Sequence, residues 1–92
     1  MNPTLRRENR KEPRRSADGE VRVWFDGPKP RELHGRLIDV SASGFRMVHD
    51  YSALQAGQVV EFSHQETSGH ARVVWTRIAG ARVETGFLVV AG

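Results

Sequence analysis

From residue 20 onward, apolar and polar side chains alternate in short blocks. In EVRVWF, Val21, Val23 and Phe25 alternate with Glu20, Arg22 and Trp24, the period of two shown by a strand with one face buried and the other wet. That stretch predicts a strand. DGPKP follows with a glycine and two prolines, which predicts a loop, and the blocks ELHGRLIDV, FRMVH, QVVEFSHQ, HARVVWTRI and RVETGFLVV predict five more strands. Turn signals fall at residues 42–44, at Ala56 and Gly57, at Ser68 and Gly69, and at Ala79 and Gly80. Only DYSALQAG has the composition for a helical turn. Six short strands with no long helical pattern hide their edges most economically by closing into a small antiparallel β-barrel, so the expected fold is all-β.

The chain has 92 residues, 38% hydrophobic and 27% charged, which fits one soluble domain with a small core. No apolar run approaches a membrane span. MNPTLRRENRK is charged where a secretory signal would be apolar, and there is no cysteine, so the cytoplasm is the expected compartment and a disulfide framework is excluded. The net charge is only +3. Its placement matters more. Residues 1–16 hold Arg6, Arg7, Arg10, Lys11, Arg14 and Arg15 against Glu8 and Glu12, a balance of +4, while residues 17–92 hold eight basic and nine acidic residues. The expected organisation is a flexible basic N-terminal arm, 1–16, on a near-neutral barrel, 17–92, with no broad basic face for a polyanion.

Two stretches carry candidate chemistry. In DVSASGF, residues 39–45, a strand ending at Asp39 and turning through Ser41 and Gly44 can present a carboxylate, a hydroxyl and backbone N–H groups at one bend, with glycine permitting positive φ. A serine turn that satisfies its own backbone explains the same residues. In RKEPR, Arg10 and Arg14 are four residues apart, and Pro13 stiffens the chain before the second arginine. The pair RKEPR and DVSASG resembles the RxxxR and D/NxSxxG motifs of the PilZ family, in the family's order. ARVVWTR followed by ETGFLV looks like that family's late strand pair, so the resemblance runs from about Arg6 to Val90.

The resemblance implies a six-stranded barrel that binds the bacterial second messenger cyclic di-GMP, with no cofactor or metal. Guanidinium groups suit such a ligand, because they grip phosphate bidentately, pair with guanine O6 and N7, and stack on bases. An ionised carboxylate suits the N1–H and N2–H₂ edge of guanine. The expected ligand contacts are therefore Arg10 and Arg14 on phosphate and guanine, Asp39 and Ser41 on a guanine edge, and Gly44 shaping the turn. Arg6 with Arg10 is the alternative register. Lys11, Arg15 and Trp75 are secondary candidates; Trp75 is otherwise expected in the core with Val73, and Trp24 and Arg46 rank behind it. Ligand binding is expected to order residues 6–16 and create a surface read by a downstream partner protein. This requires the arm to reach the corner and the Asp39 carboxylate to be accessible there. The sequence ends at Gly92 directly after its last predicted strand, where the family commonly carries a helix, so the resemblance gives no support to a helix-mediated dimer or signal relay.

Other classes fit less well. A barrel binding RNA or single-stranded DNA through its arm would display aromatic and basic residues together on a sheet face, and the body is near-neutral. A ligand-independent adaptor on the same fold is the nearer alternative. An enzyme is not expected: no histidine is placed to activate Ser41, and His34, His49, His64 and His70 lack a metal-ligand spacing.

Overall fold

In the computed structural model of the chain, residues 13–26, 29–65 and 67–90 are described. They form seven strands: β1 Arg15–Ser16, β2 Glu20–Phe25, β3 Arg31–Val40, β4 Gly44–His49, β5 Val59–His64, β6 Thr67–Ala79 and β7 Arg82–Val90. Every pairing is antiparallel, and the order β3-β2-β5-β6-β7-β4 closes on itself through β3 and β4. The fold is a closed six-stranded antiparallel β-barrel with one extra strand. No helix among the described residues is long and apolar enough to cross a membrane.

Closure depends on β3. Its ten residues serve β2 over Arg31–Arg36 and β4 over Arg36–Val40. The extra strand β1 continues the β2 edge, with Arg15 opposite Val40 and Ser16 opposite Asp39. Ala17 N–H to the Ile38 carbonyl and Leu37 N–H to the Gly19 carbonyl carry the ladder between them. Arg14–Ser16, assigned from sequence to a free arm awaiting ligand, are thus already laid along β3. Arg6, Arg10 and Lys11 lie outside the described residues.

Alternation drives the barrel's interior as the sequence pattern requires. Val21, Val23, Met47, Ala71 and Val73 are buried from three strands, and Phe45 sits at the centre with its ring 4.7 Å from Phe87 and 4.8 Å from Phe62. Such offset aromatic contacts add to the burial of their large apolar area. Residues 50–58 form turns rather than a helix and deliver Leu54 into the core. The β5–β6 turn passes through Gln65, since His64 pairs with Thr67 and Gln65 takes φ 47°. Ser68 and Gly69, expected as that turn, instead pair with Ser63 and Phe62 inside β6.

Candidate functional site

The corner between β3 and β4 gathers the residues singled out in the sequence. Arg14 Nη1 donates to Asp39 Oδ1 at 2.8 Å, and Arg46 Nε donates to Asp39 Oδ2 at 2.9 Å, with Arg46 Nη2 on the same oxygen. Two guanidiniums therefore clasp one carboxylate. Arg14 arrives because β1 is pinned to β3; Arg46 arrives because the β3–β4 register sets it opposite Asp39 after the irregularity between Leu37 and Asp39.

The electrostatics follow from that geometry. Burial pushes the Asp39 carboxyl up, yet the hydrogen bond and charge of Arg46 and those of Arg14 outweigh it, leaving its pKa below the usual carboxylate value. The Arg46 guanidinium is held above its ordinary value chiefly by its hydrogen bond to Asp39. Both partners hold the ionised state. Asp39 itself is 7% exposed, so the expectation of a carboxylate free to meet a guanine edge is not met: each oxygen is engaged by a guanidinium. What remains open to solvent is the arginines, with side chains 48% exposed for Arg14 and 29% for Arg46.

Ser41 and Gly44 complete the bend in a different way from that expected. Ser41 N–H donates to the Gly44 carbonyl at 2.9 Å, and Ser41 Oγ lies 3.4 Å from the same oxygen. The turn thus closes on its own backbone. Gly44 is not among the described glycines with positive φ. Its side chain is excluded by crowding instead, because a Cβ there would strike the Phe87 carbonyl oxygen across the β4–β7 pair.

The register also decides Trp75. Val73 faces Phe87 inside the barrel, but the bulge between Val73 and Trp75 sets Trp75 opposite Gly86, whose neighbours on β7 point inward. The indole is therefore on the outer wall, correcting the expectation that it joins Val73 in the core. It lies flat on Gly86, where a Cβ would come within 2.6 Å of the ring. The Arg77 guanidinium sits 5.2 Å from the ring centroid and is held by Glu84 at 2.9 Å. Ser16, Asp39, Arg46, Gly86 and Trp75 form one outward row across β1, β3, β4, β7 and β6. From Asp39 to Trp75 that row covers roughly 14 Å of wall, three strand spacings.

Arg15, a secondary candidate, pairs with Val40 and is exposed. Sequence reasoning ranked Arg46 low and passed over Gly86 and Arg77. Only the pairing of β4 with β3 and of β6 with β7 aligns them, and the one legible hint was the tryptophan on one late strand followed by a glycine on the next. No group of histidine, aspartate or glutamate suited to a metal ion is present among the described residues. In comparisons with protein-family models and with curated proteins, the sequence matches none.

Proposed function

We propose that the chain is a PilZ-type receptor for cyclic di-GMP, acting in the cytoplasm and relaying ligand binding to a partner protein. The observation that carries this reading is the alignment of Asp39 and Arg46 with the indole of Trp75 along one outer row of the barrel, with Arg14 reaching Asp39 from the start of β1. Two guanidiniums against one carboxylate leave a net positive charge on a half-exposed surface, which suits a ligand bearing two phosphates. An adjoining indole, backed by Gly86 and covered by the Arg77 guanidinium, offers a stacking face for a purine once Arg77 moves aside.

Because Asp39 is buried with both oxygens engaged, the carboxylate contact that the motif reading required is lost, and the receptor reading rests on the two arginines instead. Arg14 and Arg46 grip phosphate oxygens or guanine O6 and N7 with the N–H groups not spent on Asp39. Asp39 is a positioning residue that fixes both guanidiniums. Ser41 and Gly44 shape the turn that sets Asp39 against Arg46, and Arg10 and Lys11 would add charge from the arm.

A second reading is favoured by a specific observation: Asp39 is buried, and each of its oxygens is already paired to an arginine of the same chain. On that reading the Arg14–Asp39 pair only fastens the arm to the barrel, and the protein is a ligand-independent adaptor. Calorimetric titration with cyclic di-GMP separates the two. The receptor reading expects micromolar binding, lost in Arg14→Ala and Arg46→Ala and weakened in Trp75→Ala while the variants still melt cooperatively. Absence of heat in the parent protein would sink the receptor reading and leave the adaptor. A third outcome, oligonucleotide binding that falls steeply with salt and survives Asp39→Ala, would identify a nucleic-acid binder instead.

A further inference from the structure

The arc of the barrel opposite the arginine cluster carries the reverse chemistry. On β2, Trp24 pairs with Glu32 of β3 on one side and with Glu61 of β5 on the other, and Glu61 pairs in turn with His70 of β6. Alternation with the buried Val21 and Val23 directs Trp24 outward. Directly opposed residues on neighbouring strands hold their Cβ atoms about 5 Å apart, so the half-buried indole is flanked by a carboxylate on each side. Asp26, Pro30 and Arg31 wall one end of the resulting groove, which has a volume of about 510 Å³.

The groove is short of positive charge. Asp26, Glu32 and Glu61 face one guanidinium, Arg31, and that group lies over the Tyr51 ring at 4.8 Å. The remaining groups against the carboxylates are imidazoles: His34 is 2.8 Å from Glu32, and His70 is 3.9 Å from Glu61. His34 also meets Glu20 at 3.2 Å, and Arg22 approaches Glu20 at 3.6 Å, farther along the same wall. An aromatic face between two carboxylates is a receptor for a guanidinium or ammonium, which gains a cation–π contact and charge-assisted hydrogen bonds together. A nucleic acid or an anionic membrane is repelled by the same charges. The groove is larger than one guanidinium and open to solvent, so it fits a side chain delivered by an extended segment.

We propose that this wall docks a basic segment of a partner protein, with one arginine side chain stacked on Trp24 between Glu32 and Glu61. The proposal does not depend on the dinucleotide reading, since the two sites occupy different arcs of the barrel.

The test uses the full chain carrying Trp75→Phe, which leaves Trp24 as the sole indole. The probe is a blocked Gly-Arg-Gly-Arg-Gly-Arg peptide, and its control has citrulline at each arginine. The expected result is a saturable change in Trp24 fluorescence and in its indole N–H resonance, diminishing with salt and absent for citrulline. The doubly substituted Glu32→Gln, Glu61→Gln protein should bind at least about tenfold more weakly. Both glutamates are exposed, at 41% and 65% of their side-chain area, so an unchanged melt should accompany that loss. No Trp24 response at millimolar peptide would overturn the proposal, as would a response indifferent to the two glutamine substitutions. Sedimentation showing a dimer that those substitutions dissolve would overturn the assignment to a partner protein and give the groove to a second copy.

Discussion

Replacing Asp39 with asparagine probes the central cluster most directly. The variant keeps the side chain's size but removes the charge and turns an amide NH₂ toward one of the guanidiniums. Breaking a fully buried ion pair by removing one partner costs about 3–5 kcal/mol. Here the partners are only partly buried. Arg14, with 48% of its side chain exposed, regains water, and its share falls toward the ~0–1 kcal/mol of a surface pair. Arg46, at 29%, loses charge-assisted bonds from two donors to one oxygen, on the order of 1.5–3 kcal/mol for such bonds. The expected cost is about 2 kcal/mol, most of it through Arg46. For a domain of this size that is a Tm lowered by about 8–16 °C.

The pH dependence has a definite sign. Because the native Asp39 pKa is depressed, its contribution is complete above the ordinary carboxylate range and is lost as pH falls through the native value. Urea melts of the parent and the asparagine variant should therefore differ by about 2 kcal/mol at pH 7 and converge in strong acid. Double-mutant cycles should couple Asp39 more tightly to Arg46 than to Arg14. A loss that is the same at pH 7 and in acid would refute the ionic account. So would an Arg14 coupling as large as that of Arg46.

Three further outcomes are expected. Gly44→Ala drives a Cβ into the Phe87 carbonyl oxygen, where backbone must move, and should cost more than about 2 kcal/mol in chemical denaturation; a neutral substitution would show that the β4–β7 pair adjusts freely. Gly86→Val should expel the Trp75 indole from its seat, read as a red-shifted, more quenchable tryptophan emission in a Trp24→Phe background; unchanged emission would mean that the ring lies elsewhere. His49 is neutral in the core: its Nδ1 accepts from Tyr51 N–H, so Nε2–H donates to Thr85 Oγ1 at 2.7 Å, and Thr85 in turn meets Thr76 at 2.9 Å. Burial lowers its pKa, and that of His64, so stability should fall as pH drops below the unfolded-state value of about 6.5. His49→Asn should flatten that limb, measured by thermal melts between pH 5 and 8; an unaltered slope would remove His49 from the account.

Six strands of the barrel were legible in the sequence because each carries its own alternation, and a half-buried strand needs nothing else to declare itself. EVRVWF and RVETGFLVV become β2 and β7, with Val21, Val23, Val83 and Phe87 facing inward while Leu88 and Val89 stay exposed. Three features were not legible. Arg15–Ser16 has no apolar signature, and its strand exists only because the β3 edge beyond β2 is unpaired. Ser68 and Gly69 have turn chemistry but are drawn into β6 by pairing with Ser63 and Phe62. One extra residue near Val74 reverses the face of everything after it, which takes Trp75 from an expected core position to the outer wall.

For the candidate site the division is similar. The sequence by itself determined which groups are present: a basic arm, an aspartate beside a serine turn, and a glycine that must remain bare. Tertiary structure alone decided that Arg46 shares Asp39 with Arg14, that the carboxylate is buried between them, and that Trp75 ends the same row. The physical reason is that alternation is encoded residue by residue along a strand, whereas the neighbours across a barrel are fixed by register, bulges and closure, which no single segment contains.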